Sequence, residues 1–197
     1  MNYTILGYDF TTNQLIIAAV ILVVLILVAV GAFVQRRAAR TLAFKNLFGT
    51  EYDRAVVKHG SARVAETNLA ERETRVKALT IRELGETERE RFVTEWHTLQ
   101  ARFVDHPRLA VTEADDLINA LLEARGYPQA GFEQRAADIS VHYPRVMDNY
   151  RTAHSVAVRL GKVEATTEEL RTAMIQYRSI FDDLLRAPES VAAVAAA

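Results

Sequence analysis

The histidines of this 197-residue chain are not spaced for a metal centre. Two metal ligands on one helix face lie three or four residues apart, and no two of the five histidines have that spacing. The sequence contains neither the HExxH motif of zinc peptidases nor the Glu-x-x-His motif of ferritin-like sites. We therefore expect no metal site and no cofactor. The histidines are His59, His97, His106, His142 and His154.

Nucleophilic and nucleotide-binding motifs do not occur in the sequence either. The chain has no cysteine, which excludes disulfides, thiolate metal ligands and thiolate nucleophiles. It also lacks the glycine patterns of phosphate loops, dinucleotide-binding folds and hydrolase elbows. Asp138 and His142 lie four residues apart, but Pro144 ends that stretch, so we interpret the pair as a polar loop contact. From these patterns we expect no catalytic residue and no enzyme.

The least regular part of the sequence is residues 124–154, ARGYPQAGFEQRAADISVHYPRVMDNYRTAH. Irregular segments carry function more often than packed helices, so these side chains could line a polar groove for a partner or a ligand. In the other interpretation, the aromatic rings plug one end of a helical bundle and the charged groups pair around helix ends. The candidate partner or ligand surface consists of Arg125, Tyr127, Phe132, Arg135, Asp138, His142, Tyr143 and Arg145.

An apolar run near the start of the chain decides where such a surface could lie. Leu15 to Val34 is uninterrupted, with no charged residue between Asp9 and Arg36. At about 1.5 Å per residue, a helix of this length spans roughly 30 Å, the hydrocarbon thickness of a bilayer. A cleaved signal peptide would have basic residues before a shorter apolar run, and a buried helix would keep a polar face. The run therefore predicts a transmembrane helix surrounded by lipid.

Basic residues follow the apolar run, and none precedes it. By the positive-inside rule the C-terminal side faces the cytoplasm, which predicts an inner-membrane protein with its N-terminus outside. The basic side chains could contact the anionic surface of the cytoplasmic leaflet. Alternatively, they form an ordinary stop-transfer flank. The residues are Arg36, Arg37, Arg40 and Lys45.

Amphipathic stretches after the anchor predict an all-α fold. Residues 50–59, 61–79 and 86–105 are expected helices, followed by helices from Pro107, from Phe132 and from Pro144 and a last one after the capping-box pattern Thr166-x-x-Glu169. Arg72 interrupts the thin apolar stripe of the second of these. Successive amphipathic helices with short loops favour an antiparallel bundle. The predicted core is Phe92, Trp96, Leu99, Phe103, Leu117, Leu121, Val146, Tyr150, Leu170, Tyr177 and Phe181.

Composition divides the chain into five expected segments. After the anchor and its basic flank, residues 49–197 contain 20 basic and 24 acidic residues, a balance that argues against nucleic-acid binding. We expect no folded unit in the first segment and one domain after the flank. The segments are a short extracytoplasmic tail (1–14), the transmembrane helix (15–34), a basic juxtamembrane segment (35–60), a cytoplasmic helical domain (61–186) and a disordered Ala-rich tail (187–197).

Four stretches resemble a family of small bacterial membrane-anchored helical proteins without a known activity. They are FGTEYDRAV, ERFVTEWHTLQARFVDHPRLAVTEADDLI, the 124–154 segment and TTEELRTAMIQYRSIFDDLL, which together extend over residues 47–186. The resemblance implies a bacterial origin and a role at the cell envelope. It supplies no cofactor and no catalytic residue.

Two functions fit these patterns. The leading hypothesis is a non-enzymatic adaptor or scaffold with a single membrane span, whose cytoplasmic domain binds another protein or a second copy of itself. The alternative is a membrane-tethered sensor of a small molecule or lipid that uses residues 125–150. An enzyme assembled from distant residues is the third and weakest hypothesis.

Overall fold

A computed structural model describes the backbone of residues 2–5, 8–160 and 165–186, with side chains from residue 16 onward. The predicted Ala-rich tail, residues 187–197, lies outside the described residues. The chain divides into two compact units, Met1–Ala43 and Phe44–Ala197. Each is described separately below.

The first unit contains a short hairpin and most of the long apolar helix. Strands β1 (Asn2–Ile5) and β2 (Tyr8–Thr11) pair antiparallel, where the sequence predicts no folded unit. Tyr, Thr, Ile and Phe all favour strands, which accounts for the difference, and two strands are too few for an independently stable sheet. Helix α1 (Thr12–Phe48) follows. Residues 16–40 are exposed throughout, and this helix is long and apolar enough to span a membrane.

All the regular secondary structure in the described residues of the second unit is helical, which confirms the all-α fold class. Each expected helix is present, and a 3₁₀ turn at Pro144–Val146 precedes the seventh. The helices are α2 (Thr50–His59), α3 (Ala62–Lys77), α4 (Glu86–Asp105), α5 (Pro107–Ala124), α6 (Phe132–Ile139), α7 (Met147–Arg159) and α8 (Thr167–Leu184).

The start of α8 follows directly from the capping-box pattern. The Thr166 hydroxyl accepts a hydrogen bond from the Glu169 amide at 3.2 Å, and the Glu169 carboxylate accepts one from the Thr166 amide at 2.8 Å. Two amide donors that have no partner within the helix are thereby satisfied. The capping box fixes the residue at which α8 begins, and with it the register of the apolar face.

Helices α4, α5, α7 and α8 enclose the main hydrophobic core. Helices α7 and α8 run antiparallel, because Arg159 at the end of α7 pairs with Glu169 at the start of α8, and Asn149 bonds to Ser179 at their other ends. Of the eleven predicted core residues, ten are buried, and Phe103 is partly buried against them. The core prediction is therefore confirmed for all but one side chain.

Helices α2 and α3 form a second, smaller core. Phe48, Tyr52 and Ala55 pack against Ala65 and Leu69 of α3. This contact explains why the second unit begins at Phe44, whereas the sequence suggests a juxtamembrane segment up to residue 60. The α2 helix is therefore part of the folded domain and brings its charged residues to it.

Candidate functional site

Four residues of the predicted surface lie in the interior. Arg125, Tyr127, Asp138 and Tyr143 are all buried, and only 1 % of Arg125 is exposed. The Arg125 guanidinium donates hydrogen bonds to the Leu184 and Arg186 carbonyls. Carbonyls at the end of a helix have no partner within it, so a buried cation is stabilised at that position. These four side chains therefore do not form a partner surface.

Buried partners account for Tyr127, His142 and Asp138. The Tyr127 hydroxyl and His142 Nδ1 are 2.7 Å apart, and burial together with the Arg125 charge lowers the pKa of His142. Asp138 accepts two hydrogen bonds from Arg75 of α3, at 2.6 and 2.8 Å. Asp138 therefore fixes α6 against α3, and it does not pair with His142 as a loop contact would require.

The remaining three residues of the predicted surface differ in environment. Phe132 stacks on His154 with the ring centroids 3.7 Å apart. Arg135 donates to the Tyr150 hydroxyl at 3.2 Å, which places it against the core. Arg145 is exposed. The plugging interpretation describes most of this segment, and a continuous groove along residues 125–145 is not formed.

A hydrogen-bonded cluster that the sequence does not reveal lies between α5, α7 and α8. Asp115 Oδ1 is 3.0 Å from His154 Nδ1 and accepts a hydrogen bond from the Tyr177 hydroxyl at 2.8 Å. Burial alone would raise the pKa of Asp115, but the bonds from His154 and Tyr177 hold it below its ordinary value. Burial, together with the Asp115 charge, raises the pKa of Tyr177.

The Asp115–His154 pair has the form of a general base and its orienting carboxylate. Within the described side chains, no serine or threonine hydroxyl bonds to the other ring nitrogen of His154. In the same part of the chain, no three histidine, aspartate or glutamate side chains are grouped to hold a metal ion. The cluster joins three helices of the core.

A polar cleft of about 410 Å³ lies between α2, α3, α6 and α7. Its volume is in the range of small-molecule binding sites. Charged and amide side chains predominate on its walls, in contrast to the mostly apolar groove between α4 and α5. The cleft is lined by Glu51, Arg54, Ala55, Lys58, His59, Asn68, Arg72, Arg75, Glu133, Gln134, Ala137 and Arg151.

One buried carboxylate organises this cleft. Glu51 is 1 % exposed and accepts hydrogen bonds from Arg151 of α7 at 3.0 and 3.2 Å. Arg54 lies 3.2 Å away and Arg72 3.8 Å away. A single carboxylate therefore serves three guanidinium groups from three helices, and it positions them around the cleft.

Arg72 is the least satisfied of the three cations. Its Nε donates to Asn68 at 2.9 Å, whereas its buried Nη1 has no hydrogen-bond partner. Burial lowers the pKa of Arg72, with Glu51 opposing that effect and Arg151 adding to it. The residue is only 9 % exposed. Its interruption of the apolar stripe of α3 is the one sequence signal that marks this cleft.

The basic residues after the apolar run are exposed. Arg36, Arg37 and Arg40 belong to the first unit and Lys45 to the second, where its ammonium group lies 5.6 Å from the Tyr52 ring centroid. All four can therefore reach solvent or a charged surface.

Compared with known proteins, the chain matches no family model, no curated protein and no solved structure.

Proposed function

We propose that this protein is a non-catalytic binding protein held in the bacterial inner membrane by α1, with its helical domain in the cytoplasm. The exposed apolar surface of α1 carries the proposal. Residues 16–34 have no polar face that could be turned toward water while an apolar face packs on the protein. The basic residues after this stretch support the cytoplasmic placement.

The first candidate activity is that of an adaptor or scaffold that binds another protein or a second copy of this chain. A groove between α4 and α8 supports it, since Phe103, Met174 and Ile175 line this groove and Ile175 is 65 % exposed. Apolar side chains of this kind anchor helix-in-groove contacts.

The second candidate activity is that of a membrane-tethered sensor of a small molecule or a lipid. The polar cleft favours it, because Glu133, Gln134 and Ala137 contribute part of residues 125–150 to its wall. The other walls come from α2, α3 and α7, so the ligand would bind to a different set of residues from the one suggested by the sequence.

Site-specific crosslinking in intact bacteria tests the adaptor activity. A photo-crosslinker at position 175 is expected to give a discrete adduct, and the same group at position 57 is the matched control, since Val57 is 84 % exposed on a helix away from the groove.

Membrane residence is tested on the same cells by carbonate extraction. The double variant Leu22→Arg, Leu25→Arg is expected to release the chain, because each arginine near the bilayer centre costs about 2.5–3.5 kcal/mol. Loss of the wild-type chain to the soluble fraction, or equal labelling at both positions, contradicts the proposal.

A further inference from the structure

The polar cleft contains more positive charge than its carboxylates neutralise. Arg75 pairs with Asp138 at 2.6 Å, and Arg54 pairs with Asp148 at 2.7 Å. Lys58 is exposed and has no ion pair in the described structure. Three further groups, Arg72, Arg151 and Glu51, form the buried floor, where two cations share one buried carboxylate.

The acidic groups at the edge of the cleft change this balance little. Glu133 is 71 % exposed and lies 3.4 Å from Arg151, so water weakens its attraction. Four carboxylates face these cations: Glu51, Glu133, Asp138 and Asp148. The lining contains five Arg and Lys residues, so one positive charge remains without a matching carboxylate. The excess positive charge belongs to the side of the cleft formed by α2 and α3.

Two buried nitrogen atoms on that side have no hydrogen-bond partner. Arg72 lines the cleft although it is only 9 % exposed, and its buried Nη1 has no hydrogen bond. The neighbouring His59 Nε2 is also buried and without a hydrogen bond. A buried donor left without an acceptor costs about 1–3 kcal/mol, so a ligand that supplies acceptors here recovers that free energy.

We propose that the cleft binds a phosphate group through Lys58 and Arg72. A phosphate group has several acceptor oxygens that point in different directions, which suits donors supplied by two different helices. Guanidinium and ammonium groups are the usual phosphate partners in proteins. The volume of about 410 Å³ exceeds that of a phosphate, so the group belongs to a larger polar molecule. This inference rests on the sensor activity proposed above.

Two sources share this chemistry, a soluble phosphorylated small molecule and the headgroup of an anionic phospholipid. Their shared feature is a phosphate group that carries at least one negative charge at neutral pH. The experiment therefore uses inorganic phosphate and phosphatidic acid as separate probes. It is carried out on the full chain, in nanodiscs of phosphatidylcholine for the first probe and of phosphatidylcholine with phosphatidic acid for the second.

Calorimetric titration of inorganic phosphate, with sodium chloride at the same ionic strength as the reference, measures the soluble source. Thermal unfolding in the two kinds of nanodisc measures the lipid source. Lys58→Gln and Arg72→Gln are expected to weaken phosphate binding at least tenfold, the loss that follows from one charge-assisted hydrogen bond. Lys77→Gln is the matched control on α3, since Lys77 is exposed, pairs with Glu73 and does not line the cleft. It is expected to change the dissociation constant less than twofold.

Lys58→Gln keeps the proposal falsifiable, because Lys58 is exposed and its replacement is not expected to unfold the domain. Phosphate binding that depends on Lys58 supports a soluble ligand, and stabilisation by phosphatidic acid alone that depends on Lys58 supports a lipid headgroup. If neither probe acts, or if Lys77→Gln weakens binding as much as Lys58→Gln, the proposal is overturned. The result of carbonate extraction does not depend on phosphate binding. A chain that stays in the membrane but binds neither probe therefore overturns this site and leaves the membrane-anchored function standing.

Discussion

Replacing Gly126 by alanine is expected to destabilise the helical domain by about 2–4 kcal/mol. Gly126 ends α5 with φ at +94°, a backbone conformation that costs an alanine about 1–3 kcal/mol. A Cβ at this position would lie 2.3 Å from the Thr80 carbonyl oxygen, so the backbone near Thr80 must move. That movement weakens the bond from the Arg82 amide to the Arg125 carbonyl, now 3.0 Å long, at a further cost of about 0.5–1.5 kcal/mol.

Urea unfolding of the full chain in an uncharged detergent measures this effect. Fluorescence of Trp96 reports on the domain alone, because it is the only tryptophan and is buried against Phe181, with ring centroids 4.7 Å apart. Gly131→Ala is the matched control, since a Cβ there meets no atom within 4 Å and φ is −57°. The control is expected to change the free energy of unfolding by less than about 0.5 kcal/mol. Equal urea midpoints for Gly126→Ala and the wild type would refute the reasoning.

Three further predictions follow from the anchor, the buried cluster and the core. Neutralising Arg36, Arg37 and Arg40 while adding three lysines to residues 1–14 is expected to reverse the orientation, as read by reporter fusions at the C-terminus. Asp115→Asn is expected to lower stability by about 1–2 kcal/mol at neutral pH, because charge-assisted hydrogen bonds become neutral ones. The pKa of Asp115 is lower in the folded state than in the unfolded state, so the ionised carboxylate stabilises the fold fully above the unfolded-state pKa. The difference in stability between wild type and variant therefore disappears as the pH falls through the folded-state pKa. Urea denaturation at a series of pH values measures this loss. Phe181→Ala is expected to cost about 3–5 kcal/mol, measured by the loss of near-ultraviolet dichroism at lower urea, and an unchanged midpoint would contradict the assigned core.

The helices could be predicted from the sequence because their signals are local. The Thr166 capping box and the recurrence of Phe92, Trp96 and Leu99 lie within a few turns of chain, so they indicate where helices begin and which face is apolar. The same information predicts which side chains fill the core. It does not show which helices will be neighbours in the cleft.

The cleft could not be predicted because its contacts join distant parts of the chain. Glu51 and Arg151 are 100 residues apart, and Arg75 and Asp138 are 63 apart, so no spacing pattern connects them. Arg125 illustrates a second reason, since arginine is a surface residue in most contexts and is buried here only because carbonyls at the end of α8 accept its hydrogen bonds. A prediction made from residue type alone therefore places buried side chains such as Arg125 on the surface.

The bond between Glu51 and Arg151 has a consequence for the order of assembly on the ribosome. Synthesis runs from the N-terminus, so α1 is complete and available for insertion about one hundred residues before Arg151 is made. Closing so long a loop is slow compared with forming adjacent helices. Until translation reaches α7, Glu51 lacks its principal cationic partner, Arg151. With α1 in the membrane as proposed, the nascent protein is attached to the bilayer before its domain can fold.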